Sequence, residues 1–330
     1  MTAVKNAALA ANEAYVPKQK QGFLGGVLNE FKASAAYLTK VSLIYGAIGK
    51  VKQGLSSVIQ EVYKLDAAIT KLQIVTIKSR DELKDAIGGY HELASELKVS
   101  SETVLQSAEM WLRAGYSIEQ SNELIRQSIK LSTLGMMDAQ EANSALISVI
   151  KGWKLSVSDV ESVVDAVTAL DSAFATTAGD IAKAMQRGNV SANLGGMSLS
   201  DFESYVTAVL DTSQLSAETV GNAFKTVVAR MGNVKAGKFS GSYNASEGDE
   251  EGNGFQALND AEIVLNKIGI QTRDNASNFR DINEVFGEIA KKWSTLDNVT
   301  QNAITTAIAG VRQREAMNVL FNNWDQVERA

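Results

Sequence analysis

The sequence predicts an all-α protein: a long amphipathic heptad helix, then an array of short capped helices, with one small β-hairpin near residues 268–280. Three observations support this fold class. Proline occurs once in 330 residues, at Pro17, so very little opposes helix formation. Apolar residues recur at three- and four-residue spacing along most of the chain. Candidate N-capping residues recur about every twenty residues, which limits most helices to a few turns.

Composition restricts the function classes. The chain is 45% hydrophobic and 21% charged, which is typical of globular proteins, and it contains no cysteine, which excludes disulfides and thiolate chemistry. Residues 1–64 carry a net charge of +5 and the remainder −11, within a total of −6. The acidic body has the wrong sign for nucleic acid and the basic arm is too sparse, so we expect no sequence-specific nucleic-acid binding. The longest uncharged run near the N-terminus, Val41 to Gly49, is too short for a bilayer of about 30 Å, so neither a signal peptide nor a transmembrane helix is expected.

The N-terminal part divides in two. Residues 1–21 have weak periodicity and are predicted to be disordered or a cloning remnant. Residues 22–76 are predicted to form the long helix, since apolar residues from position 37 onward follow an unbroken 4-3 spacing, as in a coiled-coil seam. The predicted oligomer seam consists of Tyr37, Val41, Ile44, Ile48, Val51, Leu55, Val58, Val62, Leu65, Ile69 and Leu72.

The seam leaves three interpretations open. β-branched residues at both seam positions favour a homo-oligomer of three or more chains. Glycines within the helix oppose this, each by about 1 kcal/mol: Gly46, Gly49 and Gly54. The alternatives are an amphipathic helix lying on its own domain and a helix bound at a membrane surface through flanking lysines.

Residues 77–231 are predicted to form the helical core array. The helix before Gly115 stops and another restarts at Ser117, and such restarts recur as an N-cap followed three residues later by an acidic or amide side chain. They are Ser117 with Gln120, Asp138 with Glu141, Ser158 with Glu161, Thr177 with Asp180, and Ser200 with Glu203. Two further starts, VSSETV (Val99–Val104) and LSAETV (Leu215–Val220), share a serine cap and an early glutamate. Short helices are marginal alone, so each corner is expected to fold the chain back onto a shared core.

The C-terminal part begins with a predicted flexible loop, residues 232–256, which is rich in glycine and carries an acidic cluster at 247–251. Residues 257–330 then contain, in order, a helix from Ala257, a hairpin with arms Ile268–Arg273 and Asn278–Arg280, a capped helix from Asp281 to Trp293, and a last helix from Thr300. Because the helical pattern continues to the last residue, we expect the sequence to be a piece of a longer protein.

No catalytic, cofactor-binding or metal site is predicted. The stretch Gly232–Phe239 nearly matches a P-loop, but phenylalanine stands where Ser or Thr should bind magnesium, and a helix precedes it rather than a strand. The single His91 lacks a histidine partner and is predicted to lie on a helix surface. The cluster at 247–251 lacks the spaced ligands of an EF-hand. Asp165 and Asp171 are predicted to be exposed helix charges.

Six stretches, taken in order, carry a family resemblance. They are LDAAITKLQIVT (Leu65–Thr76), LASELKVSSETVLQSAEMWLRAGYSIEQSNELIRQSIKL (Leu93–Leu131), LISVIKGWKLSVSDVESVVDAV, LGGMSLSDFESYVTAVLDTSQLSAETVGNAFKTVVARM, LNKIGIQTRDNASNFRDINEVFGEIAKKW and AGVRQREAMNVL. Together they resemble the core region of phage tail tape measure proteins of the TP901 type, over about residues 65–325.

The resemblance implies a virion structural protein of a tailed phage, a prophage or a tailocin-like particle. Such a protein is assembled in the host cytoplasm, lies in the lumen of the tail tube, sets tube length, and leaves on genome ejection. The implied partners are the tail tube protein, tail assembly chaperones and the baseplate hub, with host membrane on ejection. The family has no catalytic residues in this region, so the protein is expected not to be an enzyme.

Physical length adds a constraint to this interpretation. A helix rises about 1.5 Å per residue, so residues 37–72 could measure about 50 Å, whereas an array that folds back cannot measure length. We therefore expect the array to be an assembly or ejection module, and the ruler to lie mostly in other sequence. Two alternatives remain: a membrane-active delivery protein that uses the Gly-rich helix Phe23–Val62, and a generic helical scaffold unrelated to phage.

Overall fold

The computed structural model describes residues 51–233, 259–275 and 278–330, with backbone alone for residues 51–59. The predicted segment 1–21, the seam positions from Tyr37 to Ile48, the acidic cluster at 247–251 and the predicted helix start at Ala257 lie outside these residues. The chain divides into two compact units, Met1–Val62 and Tyr63–Ala330. Of the first unit, only the residues from Val51 onward are described, and they are helical. The packing described in the following paragraphs is that of the second unit.

Most of the described residues are helical, which confirms the all-α prediction with one small hairpin. They form thirteen α-helices, one 3₁₀ turn and two short strands. In chain order these are α1 (Val51–Thr76), α2 (Lys84–Leu97), α3 (Ser101–Arg113), α4 (Ile118–Leu134), α5 (Ala139–Trp153), the turn Val157–Asp159, α6 (Val160–Ala173), α7 (Ala178–Leu194), α8 (Leu199–Thr212), α9 (Ala217–Met231), α10 (Asp260–Lys267), β1 (Arg273–Asn275), β2 (Asn278–Phe279), α11 (Ile282–Trp293), α12 (Asn298–Asn322) and α13 (Trp324–Arg329).

Five corners of the array share one backbone motif. A residue in the left-handed region ends a helix, an apolar residue packs on the core, and a serine or aspartate begins the next element. The amide of the apolar residue donates to the carbonyl five residues earlier, which is the Schellman hydrogen bond. The corners are Lys98-Val99-Ser100, Gly115-Tyr116-Ser117, Met136-Met137-Asp138, Lys154-Leu155-Ser156 and Gly196-Met197-Ser198. The predicted corner at Gly115–Ser117 is therefore confirmed.

Most predicted caps are confirmed. The side chains of Ser117, Asp138 and Thr177 accept hydrogen bonds from backbone amides in the first turn of α4, α5 and α7, and Ser100 and Ser216 do so for α3 and α9. At Ser117 the box is complete, because Gln120 Oε1 accepts from the Ser117 amide at 2.9 Å.

Two predicted caps are wrong by two residues. Ser156 with Asp159 replaces Ser158 with Glu161, and Ser198 with Asp201 replaces Ser200 with Glu203. The Schellman corner explains both, because the cap has to follow the apolar residue directly. One helix start also differs from prediction. The side chain of Asp297 caps α12, which begins at Asn298 rather than Thr300. The side chain of Asn259 caps α10, which begins at Asp260.

One hydrophobic core joins the helices of the second unit, and Trp111 and Phe224 are fully buried in it. Two helix contacts depend on glycine because the backbones touch. A Cβ on Gly221 of α9 would lie 2.2 Å from the carbonyl oxygen of Ala184 in α7, and a Cβ on Gly179 would lie 2.3 Å from that of Gly135. Glycine thus sets how closely α7 approaches its neighbours.

The hairpin is confirmed but shorter than predicted. Strands β1 and β2 are antiparallel, with Arg273 opposite Phe279. Residues 268–271 are not part of a strand, because Ile270 donates its amide to Leu265 and so closes the end of α10. A buried ion pair between Arg273 and Glu262 ties the hairpin to α10.

Candidate assembly surfaces

The structure places the described end of the predicted seam inside the chain's own core. In α1, Ile69 is 5% exposed and Leu72 is 1% exposed, while Leu65 is partly buried against the same core. Val62 is half-buried. From Leu65 onward, therefore, this chain already covers the seam residues.

Three seam residues, Val51, Leu55 and Val58, lie in α1 where the backbone alone is described, and the four upstream residues of the seam lie outside the described residues. The structure thus brings together only the last part of the predicted seam, and it does so within one chain.

The opposite face of α1 carries a second stripe, displaced from the seam by two residues. Tyr63 is 72% exposed, Ile74 is 71% exposed and Ile77, just past the helix end, is 92% exposed, with exposed Ala67 and Thr70 between them. We call these five residues the free stripe. Their 4-3-4-3 spacing is the spacing that another helix can cover. Sequence reasoning missed the free stripe because the larger aliphatic residues of the seam dominate the pattern, although the same spacing signal is present.

A second apolar surface lies where the ends of α7 and α9 meet the hairpin and the start of α11. Leu194, which is 82% exposed, lines this surface together with Phe279 and with Val228 and Ile282, which we call its floor. A Cβ on Gly195 would lie 2.9 Å from both floor side chains, so glycine allows this corner to sit on them. We call this surface the corner groove. At its edge Arg280 is neutralised, since it donates to Glu284 and to Glu288 at 3.2 and 2.7 Å.

The polar residues considered as site candidates serve local structure. Asp165 is exposed, as predicted, and pairs with Lys130 at 2.5 Å. Asp171 is half-buried rather than exposed, because its carboxylate accepts from the amide of Ala178 at 3.0 Å, in the first turn of α7. His91 is half-buried in α2, and this burial lowers its pKa.

The described residues also bear on metal binding and on membrane insertion. Within residues 51–233, 259–275 and 278–330, three or more His, Asp or Glu side chains do not gather anywhere as a metal site. In that part of the chain, each helix is too short or too polar to cross a membrane. Most of the segment Phe23–Val62, which the sequence predicts to be a Gly-rich helix, lies outside it.

The chain matches one family model, described as phage-related minor tail protein, over residues 90–310. The match begins in α2, includes the whole array of corners and the corner groove, and ends inside α12. It thus covers about two thirds of the sequence. No solved structure matches the chain.

Proposed function

We propose, since the chain belongs to the family of phage-related minor tail proteins, that it is a tape measure protein of the TP901 type. Membership of that family makes it a structural component of a phage tail. In the proposed role it lies in the lumen of the tail tube, acts in tube assembly and length determination, and takes part in genome ejection.

The observation that carries the length role is α1, whose 26 residues form the longest uninterrupted helix among the described residues. At about 1.5 Å per residue, this helix is about 39 Å long. In such a helix each added residue adds length. In the array each corner turns the chain back, so an added helix enlarges the core without adding length. We therefore assign measurement to α1 and the residues before it, and assembly and ejection to the array.

The proposed partners are the tail tube protein, the tail assembly chaperones and the baseplate hub. We further propose that copies of the chain associate as trimers or larger oligomers. Because Ile69 and Leu72 are covered within one chain, copies would meet through the free stripe of α1 and through the seam positions before Leu65. The apolar side chains and heptad spacing of the free stripe support a helical partner.

Tail length tests the measuring role. Insertion of four heptads directly before Val51 keeps the heptad register and should lengthen the tail by about 42 Å, measured by electron microscopy of assembled particles. The matched control places the same 28 residues between positions 234 and 258, where tail length should not change. Unchanged tails in the first variant, or equal lengthening in both, would contradict the assignment of measurement to α1.

Solution mass tests the association. The full chain should behave as a trimer or larger in light scattering, and Tyr63→Glu with Ile74→Glu should reduce its mass, because charges would replace apolar residues of the free stripe. Met136→Glu is the control, since Met136 is 80% exposed at a corner of the array. If the wild-type chain is a monomer, or if the double variant keeps the oligomer's mass, the free stripe is not the surface through which copies associate.

A further inference from the structure

Helix α12 is broken in its middle. Gly310 has φ 74° and ψ 166°, so the segment Asn298–Asn322 consists of two helical arms, 298–309 and 311–322. This backbone region is open essentially to glycine alone. The break therefore depends on residue 310 being glycine, although both arms consist largely of residues compatible with helix.

Arg230 of α9 stands at the break. Its Nε donates to the carbonyl oxygen of Ala307 at 2.9 Å, and its guanidinium lies 3.6 Å from the point where a Cβ on Gly310 would be. In a continuous helix that carbonyl accepts from the amide of Val311. Arg230 thus provides a donor to an acceptor at the break, where helix ends otherwise leave carbonyls unpaired.

Trp293 holds the two arms together. Its backbone oxygen accepts from the side-chain amide of Gln301 in the first arm at 2.8 Å, and its indole Nε1 donates to Asn322 in the second arm at 3.0 Å. Its ring also packs on that of Phe321, with centroids 5.1 Å apart. In a straight helix, residues 301 and 322 would be about 31 Å apart, yet both reach this tryptophan. The arms are therefore folded back toward each other.

We propose that α12 is a hinged helix with two states. One is the bent state described above; the other is a continuous helix of 25 residues, about 37 Å long, in which Gly310 adopts α-helical torsions. Release of the Arg230 and Trp293 contacts permits the change. In the bent state Ile304, Ile308 and Met317 are buried, so the straight state requires a new apolar cover for them. This inference is independent of the proposed tail function.

Spin labels measure the two states directly. Because the sequence has no cysteine, Asn302→Cys and Asn318→Cys give one defined label pair in the full chain. In the straight helix their Cα atoms are about 24 Å apart, and in the bent state they are closer. Pulsed electron paramagnetic resonance on this otherwise wild-type chain should show the short distance alone.

Two variants should move the distance. Alanine is strongly disfavoured at the bent torsions of residue 310 and favoured in a continuous helix, so Gly310→Ala should shift the ratio of straight to bent by about 30-fold or more and bring out the long distance. Arg230→Met keeps a side chain of similar reach without the donor and should shift the ratio in the same direction. The matched control is Gly287→Ala in α11, where the described residues leave open space, and it should retain the short distance.

Circular dichroism separates straightening from unfolding. The proposal requires a long, narrow distance together with wild-type helix content. A short distance in both folded variants overturns it, and so does a broad distribution with lost helix signal, because the arms then unfold instead of joining. If Gly310→Ala fails to fold, Arg230→Met decides by the same two criteria.

Discussion

Glu203 of α8 is a buried carboxyl group whose removal should stabilise the protein. It is 6% exposed, and its Oε1 atom has no hydrogen-bond partner among the described residues. Burial raises its pKa from 4.5 to about 7, because the ionised form loses its hydration in the core. We predict that Glu203→Gln raises the free energy of unfolding at pH values above 7.

The sign and size follow from the two pKa values. The unfolded chain ionises this carboxyl near pH 4.5, whereas the folded chain keeps it neutral up to about pH 7, so folding loses stability as the pH rises through this interval. A difference of about 2.5 pKa units corresponds to a destabilisation of about 3 kcal/mol. This destabilisation is complete above pH 7 and almost absent below pH 4.5. Glutamine has the same shape and does not ionise, so the variant should avoid the loss.

Urea unfolding, followed by tryptophan fluorescence, measures this at pH 5 and pH 8. The stabilisation by Glu203→Gln should be larger at pH 8 by about 2 kcal/mol, whatever the fixed cost of placing an amide in the site. Glu92→Gln at an exposed position of α2 is the control for removal of one carboxyl group. If both variants show the same pH dependence, Glu203 ionises freely in the folded protein and the argument from burial is wrong.

Three further predictions concern the backbone. Met136→Gly should raise stability by about 1 kcal/mol in thermal unfolding. Glycine adopts the left-handed backbone conformation of this position without strain, and removing an 80% exposed methionine side chain loses little packing. Gly221→Ala should cost about 3 kcal/mol through its clash with the α7 backbone, while Gly88→Ala in α2, where the described residues leave open space, should gain about 1 kcal/mol. Replacing residues 234–258 by a short Gly-Ser linker should leave the urea midpoint unchanged, because the Asn259 side chain donates to carbonyls at the end of α9 and holds the two ends of that segment together.

The corners show what local sequence can and cannot predict. Glycine and a following serine mark the corner at Gly115–Ser117, because both residues have strong local preferences. The same motif with Lys98, Met136 or Lys154 in the left-handed position carries no such signal, since those residues are otherwise good helix formers. That ambiguity accounts for the cap placed at Ser158 instead of Ser156, after Lys154. At Gly196 the glycine is present, and the cap was placed at the second of two nearby serines, Ser200 instead of Ser198. Recognising the apolar residue between the helix end and the cap would have corrected both.

The assembly surfaces were less predictable than the fold. Heptad spacing identifies an apolar face on α1, yet Ile69 and Leu72 contact this chain's own core rather than another chain's helix. Periodicity does not indicate which partner covers a face, because an intramolecular helix and an intermolecular one require the same spacing. The break at Gly310 was invisible for a related reason: a glycine in a helical pattern signals a cost, but only tertiary contacts such as that of Arg230 decide whether the helix bends there.

Whether a helix is packed into the array or continues unbroken also decides how residue number relates to length in this chain. Helices of 13 to 17 residues, such as α3 and α7, are marginal alone and persist because they share faces across the corners. A heptad inserted into one of them would disturb the shared core before it lengthened anything. Among the described residues, only α1, and α12 in its proposed straight state, offer continuous helices of about 37 to 39 Å. Insertions in α1 and in the array should therefore have different consequences, changed length in the first and lost stability in the second.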